Sequence, residues 1–261
     1  MIRSLLVRGM LVGVLAGLLA FAFAFAFGEP QVQHAIDFED QLARLHHEAP
    51  DPELVSRGVQ RTWGLLTGAV VMSVALGGLF ALVFAWAYGR IGAMGPRLTA
   101  AVLALAAYLT VILVPFTKYP ANPPTVGDPD TIDRRTVLFF AMILIAILAL
   151  VAAARIRRAL LAQLGPWNAA IVAGFAFIAV VAVAELILPA VHETPKGFPA
   201  DVLWRFRIAS LGINATIWTT LGLVFGMAAE RLLAPGATRE ATAPAVATMP
   251  RGRATSSSPP P

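Results

Sequence analysis

The sequence predicts an all-α, polytopic membrane helix bundle of about six transmembrane helices, and three observations carry that prediction. Apolar residues make up 58% of the 261 positions and charged residues only 13%, against roughly 25% charged in a soluble domain. Six apolar runs, at about 9–28, 63–88, 98–116, 137–154, 167–189 and 208–229, are each long enough to cross roughly 30 Å of hydrocarbon at about 1.5 Å per residue. Arginines gather in very short connectors between some of the runs, which is how orientation in a membrane is written.

The first run ends in "FAFAFAF", which alternates like a strand. It reads as helix because it closes a long apolar run, and only helices or closed barrels satisfy the backbone in lipid. A cleaved signal peptide is the rival reading, with Arg3 and Arg8 in its basic region. The run is too long for that, and "FGEP" is a poor cleavage site. In the second run Ala69, Ser73, Gly77, Ala81 and Ala85 recur every fourth residue, a stripe that lets another backbone approach closely. Gly13/Gly17 in the first run and Gly222/Gly226 in the last form GxxxG pairs. The third run closes on Pro115, expected to bend the helix or end it early.

Between the third and fourth runs lies "LVPFTKYPANPPTVGDPDTIDRRT". Each proline fixes its own φ and pushes its predecessor toward an extended form, so ordering the segment costs little chain entropy. It reads as an ordered cap over the helix ends, with Asp128, Asp130 and Asp133 adding negative charge. The alternative is a stiff spacer.

Arg3, Arg8, Arg90, Arg97, Arg155, Arg157, Arg158 and Arg231 fall on one side, joined by Arg239, Arg251 and Arg253 of the tail. Both termini are therefore expected in the cytoplasm, with the loops 29–62, 117–136 and 190–207 outside. Residues 1–233 read as one integral membrane domain. Residues 234–261, rich in Pro, Ala, Ser and Thr without apolar periodicity, read as a disordered cytoplasmic tail. The net charge of +5 is scattered between apolar runs and does not point to nucleic acid. With no cysteine there is no disulfide framework or thiolate metal site.

No HExxH, GxSxG or GxxxxGK[ST] motif is present. Ser73 and Ser210 lie in or near spans without a histidine there to activate them. The reading is therefore not an enzyme, and no cofactor is expected to be bound permanently. His34, His46, His47 and His192 all fall in the proposed outer loops, each with carboxylates nearby: Glu29, Asp37, Glu39 and Asp40 around His34, Glu48 after the His pair, and Glu193 after His192. Imidazole with carboxylate suits divalent first-row metals, although outer loops are commonly polar for no such reason. Two polar residues sit inside runs. Glu185, near the outer end of its helix, is a functional candidate because an intramembrane carboxylate is expensive. Asn214 reads as interhelical glue. The candidate metal ligands are Glu29, His34, His192, Glu193 and Glu185, with Glu29, His34, His192 and Glu193 expected to approach one another at the outer mouth.

"GEPQVQHAIDFED", "ELVSRGVQRTWGLLTG", "LVPFTKYPANPPTVGDPDTIDRRT", "LPAVHETPKGFPADVLWRFRIASLG" and "GLVFG" together resemble the CbtA family of predicted cobalt transporter subunits in its actinobacterial form, from about residue 5 to 233. The resemblance implies a multispan inner-membrane subunit for uptake of cobalt, or another divalent cation, serving cobalamin synthesis. It also implies a small CbtB-like partner with one span and a histidine-rich end. The family is usually described with five spans, whereas six runs are counted here, and no established ligand set carries over. A non-transporting scaffold binding a partner through its outer loops is the alternative. Few polar groups converge at mid-membrane, so a homo-oligomer or a partner helix could be needed to complete a path.

Overall fold

The structure, a computed structural model, describes residues 1–47, 55–124, 126–127, 129–191, 193–195 and 197–234. Among these residues there is no strand, and five helices are long and apolar enough to cross a membrane: α1 Ile2–His46, α2 Arg57–Ala87, α3 Pro96–Lys118, α4 Ile132–Ile187 and α5 Ala200–Leu233. The 56 residues of α4 hold two of the six expected spans. Gly165 interrupts them at φ 72° and ψ 171°, a conformation open in practice to glycine alone, and Pro166 starts the next helix with its φ already set. The limbs 132–164 and 166–187 fold back on each other. Met142 and Ala146 of the first share a buried cluster with Ala184 of the second, whereas a straight helix would hold Met142 and Ala184 about 60 Å apart. The described residues thus hold six membrane-length segments, with the fourth and fifth as one hairpin. Of the expected tail 234–261, residues 235–261 lie outside the described residues.

The bundle core is built by α1, α2, α3 and α5. Leu5, Val12, Ala16 and Ala20 of α1 meet Phe80, Ala81 and Phe84 of α2, Ala100 and Ala104 of α3, and Leu221, Phe225 and Ala229 of α5. Phe225 sits edge-on to Phe80 and Phe84, with centroids 5.4 and 5.2 Å away, the geometry that ring quadrupoles favour. The anchor reading of the first run fits this packing: α1 runs unbroken through "FGEP" and supplies one wall of the core.

The small-residue stripe of α2 faces α1. A Cβ added at Gly13 would collide with the Ser73 carbonyl and sit 2.8 Å from Val74 Cα, and one at Gly17 would sit 2.6 Å from Val70 Cα. Gly9 and Gly77 are likewise in backbone contact. The Gly222/Gly226 pair does the same for α5 against α3, where added Cβ atoms would lie 2.8 Å from Ala104 Cβ and 3.1 Å from Arg97 Cα. With no hydrophobic drive between helices in lipid, such close approach is what holds spans together.

Proline is accommodated by wide turns. Pro30 follows a π-helical turn at Ala24–Gly28 and Pro115 follows another at Tyr108–Leu113. The widened turn absorbs the missing N–H and the ring's clash with the preceding carbonyl. Of the two outcomes expected at Pro115, an early end is not seen: the helix continues to Lys118.

The two ends of the bundle differ. At one end Arg8 donates to the Ala228 carbonyl at 3.0 Å, Arg97 pairs with Glu230 at 2.5 Å, and Arg158 donates to the Arg90 carbonyl at 3.4 Å. These bonds gather the basic short connectors on one side. The long loops meet at the other end. Trp63 and Trp86, both largely exposed, bracket α2 at about 35 Å apart, a spacing that suits two interfacial aromatic belts.

Candidate functional site

The loop-rich end is built on the segment after α3. Val114, Pro115 and Tyr119 are buried. The Tyr119 hydroxyl donates to the Pro189 carbonyl at 2.8 Å. Burial, and then the nearby Glu185 carboxylate, raise the Tyr119 phenol above its usual range, with Arg134 acting the other way. Beyond it the chain turns at Pro123 and Pro124, whose carbonyls both accept from the Val126 amide, at 3.0 and 2.7 Å. Val126 then packs with Ala35 of α1 and with Phe198 and Val202 at the start of α5. The described part of this segment is thus pressed across three elements, as the cap reading expects. Thr125 and Asp128 lie outside the described residues.

A polar latch fastens the cap. Arg135, in the first turns of α4, pairs with Glu193 Oε2 at 2.9 Å and also donates to the Pro120 carbonyl. The Glu193 side chain is only 2% exposed. It accepts two further bonds, from Thr131 Oγ1 at 2.6 Å and Asn122 Nδ2 at 3.3 Å. Arg207 of α5 reaches back to Asn122 Oδ1 at 3.0 Å and to the Ala121 carbonyl at 3.3 Å. A buried carboxylate is tolerated when it is paired and fully hydrogen-bonded, and here the pairing ties α4, α5 and two loops to one point.

Glu185 lies just below the latch, at the end of the α4 hairpin. The Thr117 hydroxyl stands within hydrogen-bonding distance of its carboxylate and of the Val114 carbonyl; one proton serves one of them at a time. Lys118 Nζ donates to the Glu185 backbone carbonyl at 2.6 Å. Glu29 is engaged by Arg57 of α2, whose Nε also donates to Gln33 Oε1 at 3.3 Å. Gln33 in turn donates to Asp37 Oδ1 at 2.9 Å. His34 is exposed and lines a cavity of about 470 Å³ with Asp37, Asp201 and Arg205. His192 lies outside the described residues.

The four nominated residues that are described do not gather into one cluster. Glu29 and His34 ride on the extramembrane part of α1, Glu193 anchors the latch, and Glu185 closes the hairpin. Among the described residues no three His, Cys, Asp or Glu side chains group as a metal cage. Asn214 departs from the expectation of interhelical glue, since its amide donates to the Ser210 carbonyl of its own helix at 3.0 Å. Thr110, Thr216 and Thr220 are likewise bonded to the carbonyl four residues earlier. Sequence reasoning missed Arg57, Asn122, Thr131 and Arg135 as partners of these carboxylates. The ion pairs join residues 28 and 58 positions apart, and no local pattern announces such a pair.

Taken together, six crossings and a clamped loop-rich end define a multi-pass membrane protein. The chain belongs to the family described as "Probable cobalt transporter subunit (CbtA)", whose model matches residues 2–230 and so takes in every span. No curated protein and no solved structure matches the chain.

Proposed function

We propose that this chain is the membrane subunit of an uptake system for cobalt, or a closely similar divalent cation, serving cobalamin synthesis. It would lie in the cytoplasmic membrane with both termini and the arginine-rich connectors inside. The single observation that carries the reading is the family match over residues 2–230. The sequence has no ATP-binding motif, and none is needed: two charges moving through 100 mV gain about 4.6 kcal/mol. Of the nominated residues, His34 and His192 make first contact with the arriving ion. Glu29 holds the helical segment that carries His34, Glu193 fastens the loop after α4, and Glu185 receives the ion at the membrane boundary. The order of metal affinities favours nickel and copper over cobalt at such ligands, so selectivity comes from geometry or from delivery by a partner.

The interior bears on how the ion crosses. α1 and α2 meet backbone to backbone, and Thr110, Asn214, Thr216 and Thr220 within the spans donate to their own helices. Such an interior favours a path along the edge of this chain, completed by a CbtB-like small subunit with a histidine-rich end or by a second copy. The same features favour, as a second reading, an accessory scaffold that does not itself touch the ion. Uptake of radioactive cobalt by His34→Ala/His192→Ala separates them. The transport reading expects uptake to fall most at low cobalt concentration, and uptake equal to the parent at every concentration would leave the scaffold.

A further inference from the structure

A second feature of the loop-rich end lies apart from the latch, in the groove between α1 and α5. Two cavities adjoin there and share Gln31 and Arg205. The lower, of about 430 Å³, is walled by Phe23, Phe27, Trp204 and Ile208, at the level where the apolar runs of both helices end. The upper, of about 470 Å³, is lined by His34, Asp37 and Asp201, beyond those runs. The groove therefore passes from hydrocarbon to water along its length. Trp204, 65% exposed, stands at the border where an indole ring is at home.

Gln31 marks the middle of this groove. It is 8% exposed, and its side-chain carbonyl oxygen is buried without a hydrogen-bond partner. An orphaned buried acceptor costs about 1–3 kcal/mol, and a carbonyl oxygen can be satisfied only by a donor or a cation. Above it stand two carboxylates, Asp37 and Asp201, and beside it the Arg205 guanidinium. Among the described residues Arg205 makes no ion pair with either.

A bare or hydrated divalent ion fits this set poorly. Arg205 and the N-terminus of α5 at Ala200 both place positive charge there, and no three ligating side chains converge. A group bearing one negative and one positive charge, with apolar chains attached, matches every part. We propose that the groove binds an aminophospholipid of the phosphatidylethanolamine type. Its phosphate lies at Arg205, its primary ammonium donates to Gln31 Oε1 and faces Asp37 and Asp201, and its upper acyl segments lie along Phe23, Phe27 and Ile208. Phosphatidylcholine offers the same phosphate but no N–H for Gln31, and phosphatidylglycerol offers no cation for the two aspartates. His34 borders the upper cavity, but the assignment gives it no lipid contact and so does not depend on the metal reading.

The full chain, purified in detergent, is tested by native mass spectrometry and thermal unfolding with short-chain phosphatidylethanolamine, phosphatidylcholine and phosphatidylglycerol in turn. Phosphatidylethanolamine should bind and raise Tm, with phosphatidylcholine at least about tenfold weaker, as expected for losing one charge-assisted bond. Gln31→Leu, which removes the orphaned acceptor, should fold and lose the preference between these two lipids. Arg205→Ala should weaken both together. Asp37→Asn/Asp201→Asn, at two exposed positions, should reduce the preference without loss of fold. Equal binding of all three lipids, a preference for phosphatidylglycerol, or a preference that survives both Gln31→Leu and the double aspartate variant would overturn the assignment.

Discussion

The membrane interior and the loop-rich end of this protein are held together by opposite means. Inside, α1 and α2 meet through Gly9, Gly13, Gly17 and Gly77 with no room for a methyl group, and the polar side chains of Thr110, Asn214, Thr216 and Thr220 are turned onto their own helices. At the loop-rich end the contacts run between elements: Arg135 to Glu193, Arg207 to Asn122, Tyr119 to Pro189. Lipid offers no hydrophobic drive between helices, so the interior relies on shape. The loops have no regular ladder to satisfy their carbonyls, so they rely on charge and hydrogen bonds. Ion pairs and hydrogen bonds that join different elements thus gather at the loop-rich end.

The comparison breaks most severely at the glycine seam. Gly13→Leu forces four carbons into the Ser73 carbonyl and Val74 Cα, and is expected to cost more than about 3 kcal/mol, the upper range for overpacking. Loss of the folded band in detergent-solubilised thermal unfolding checks it. Glu193→Ala comes next. It leaves the Arg135 guanidinium, 26% exposed, without its carboxylate, and is expected to cost about 3 kcal/mol, the low end for breaking a buried pair. Limited proteolysis of the 113–136 segment should accelerate, while the membrane spans stay protected.

Gly165→Val strains the reversal between the limbs of α4 by about 1–3 kcal/mol. Cysteines placed at Met142 and Ala184 should cross-link in the parent and lose efficiency in this variant. The smallest effect is expected from Tyr119→Phe, about 1 kcal/mol for one hydrogen bond, read as a small fall in Tm. The phenol's raised pKa fixes the sign of its pH dependence. The unfolded chain ionises first, so the parent loses stability as pH rises past about 10, and Tyr119→Phe should flatten that loss.

Much of the fold was legible because lipid imposes simple rules. Run length and basic connectors give six crossings, while the exact place of the reversal in α4, at Gly165, comes from the structure. The every-fourth-residue stripe from Ala69 to Ala85 names the seam. The isolated pairs Gly13/Gly17 and Gly222/Gly226 read ambiguously, because a GxxxG pair does not say which helix it meets. Pro115 left two outcomes open for a local reason: whether a proline ends a helix depends on whether the turn before it can widen. The site was less legible. Histidines and carboxylates near span ends could be named, but not the partners that Glu29 and Glu193 take, since Arg57 and Arg135 are set against them by tertiary folding alone. Gln31 gave no signal at all, since its burial exists only once α5 lies across α1.

On the function proposed above, this chain takes part in cation uptake and the path is completed at its edge. Uptake of radioactive cobalt, measured in cells making this chain alone, the small histidine-rich partner alone, and both together, tests it most directly. Uptake well above background only when both are present is the predicted result. Uptake by the partner alone equal to that of the pair would contradict it.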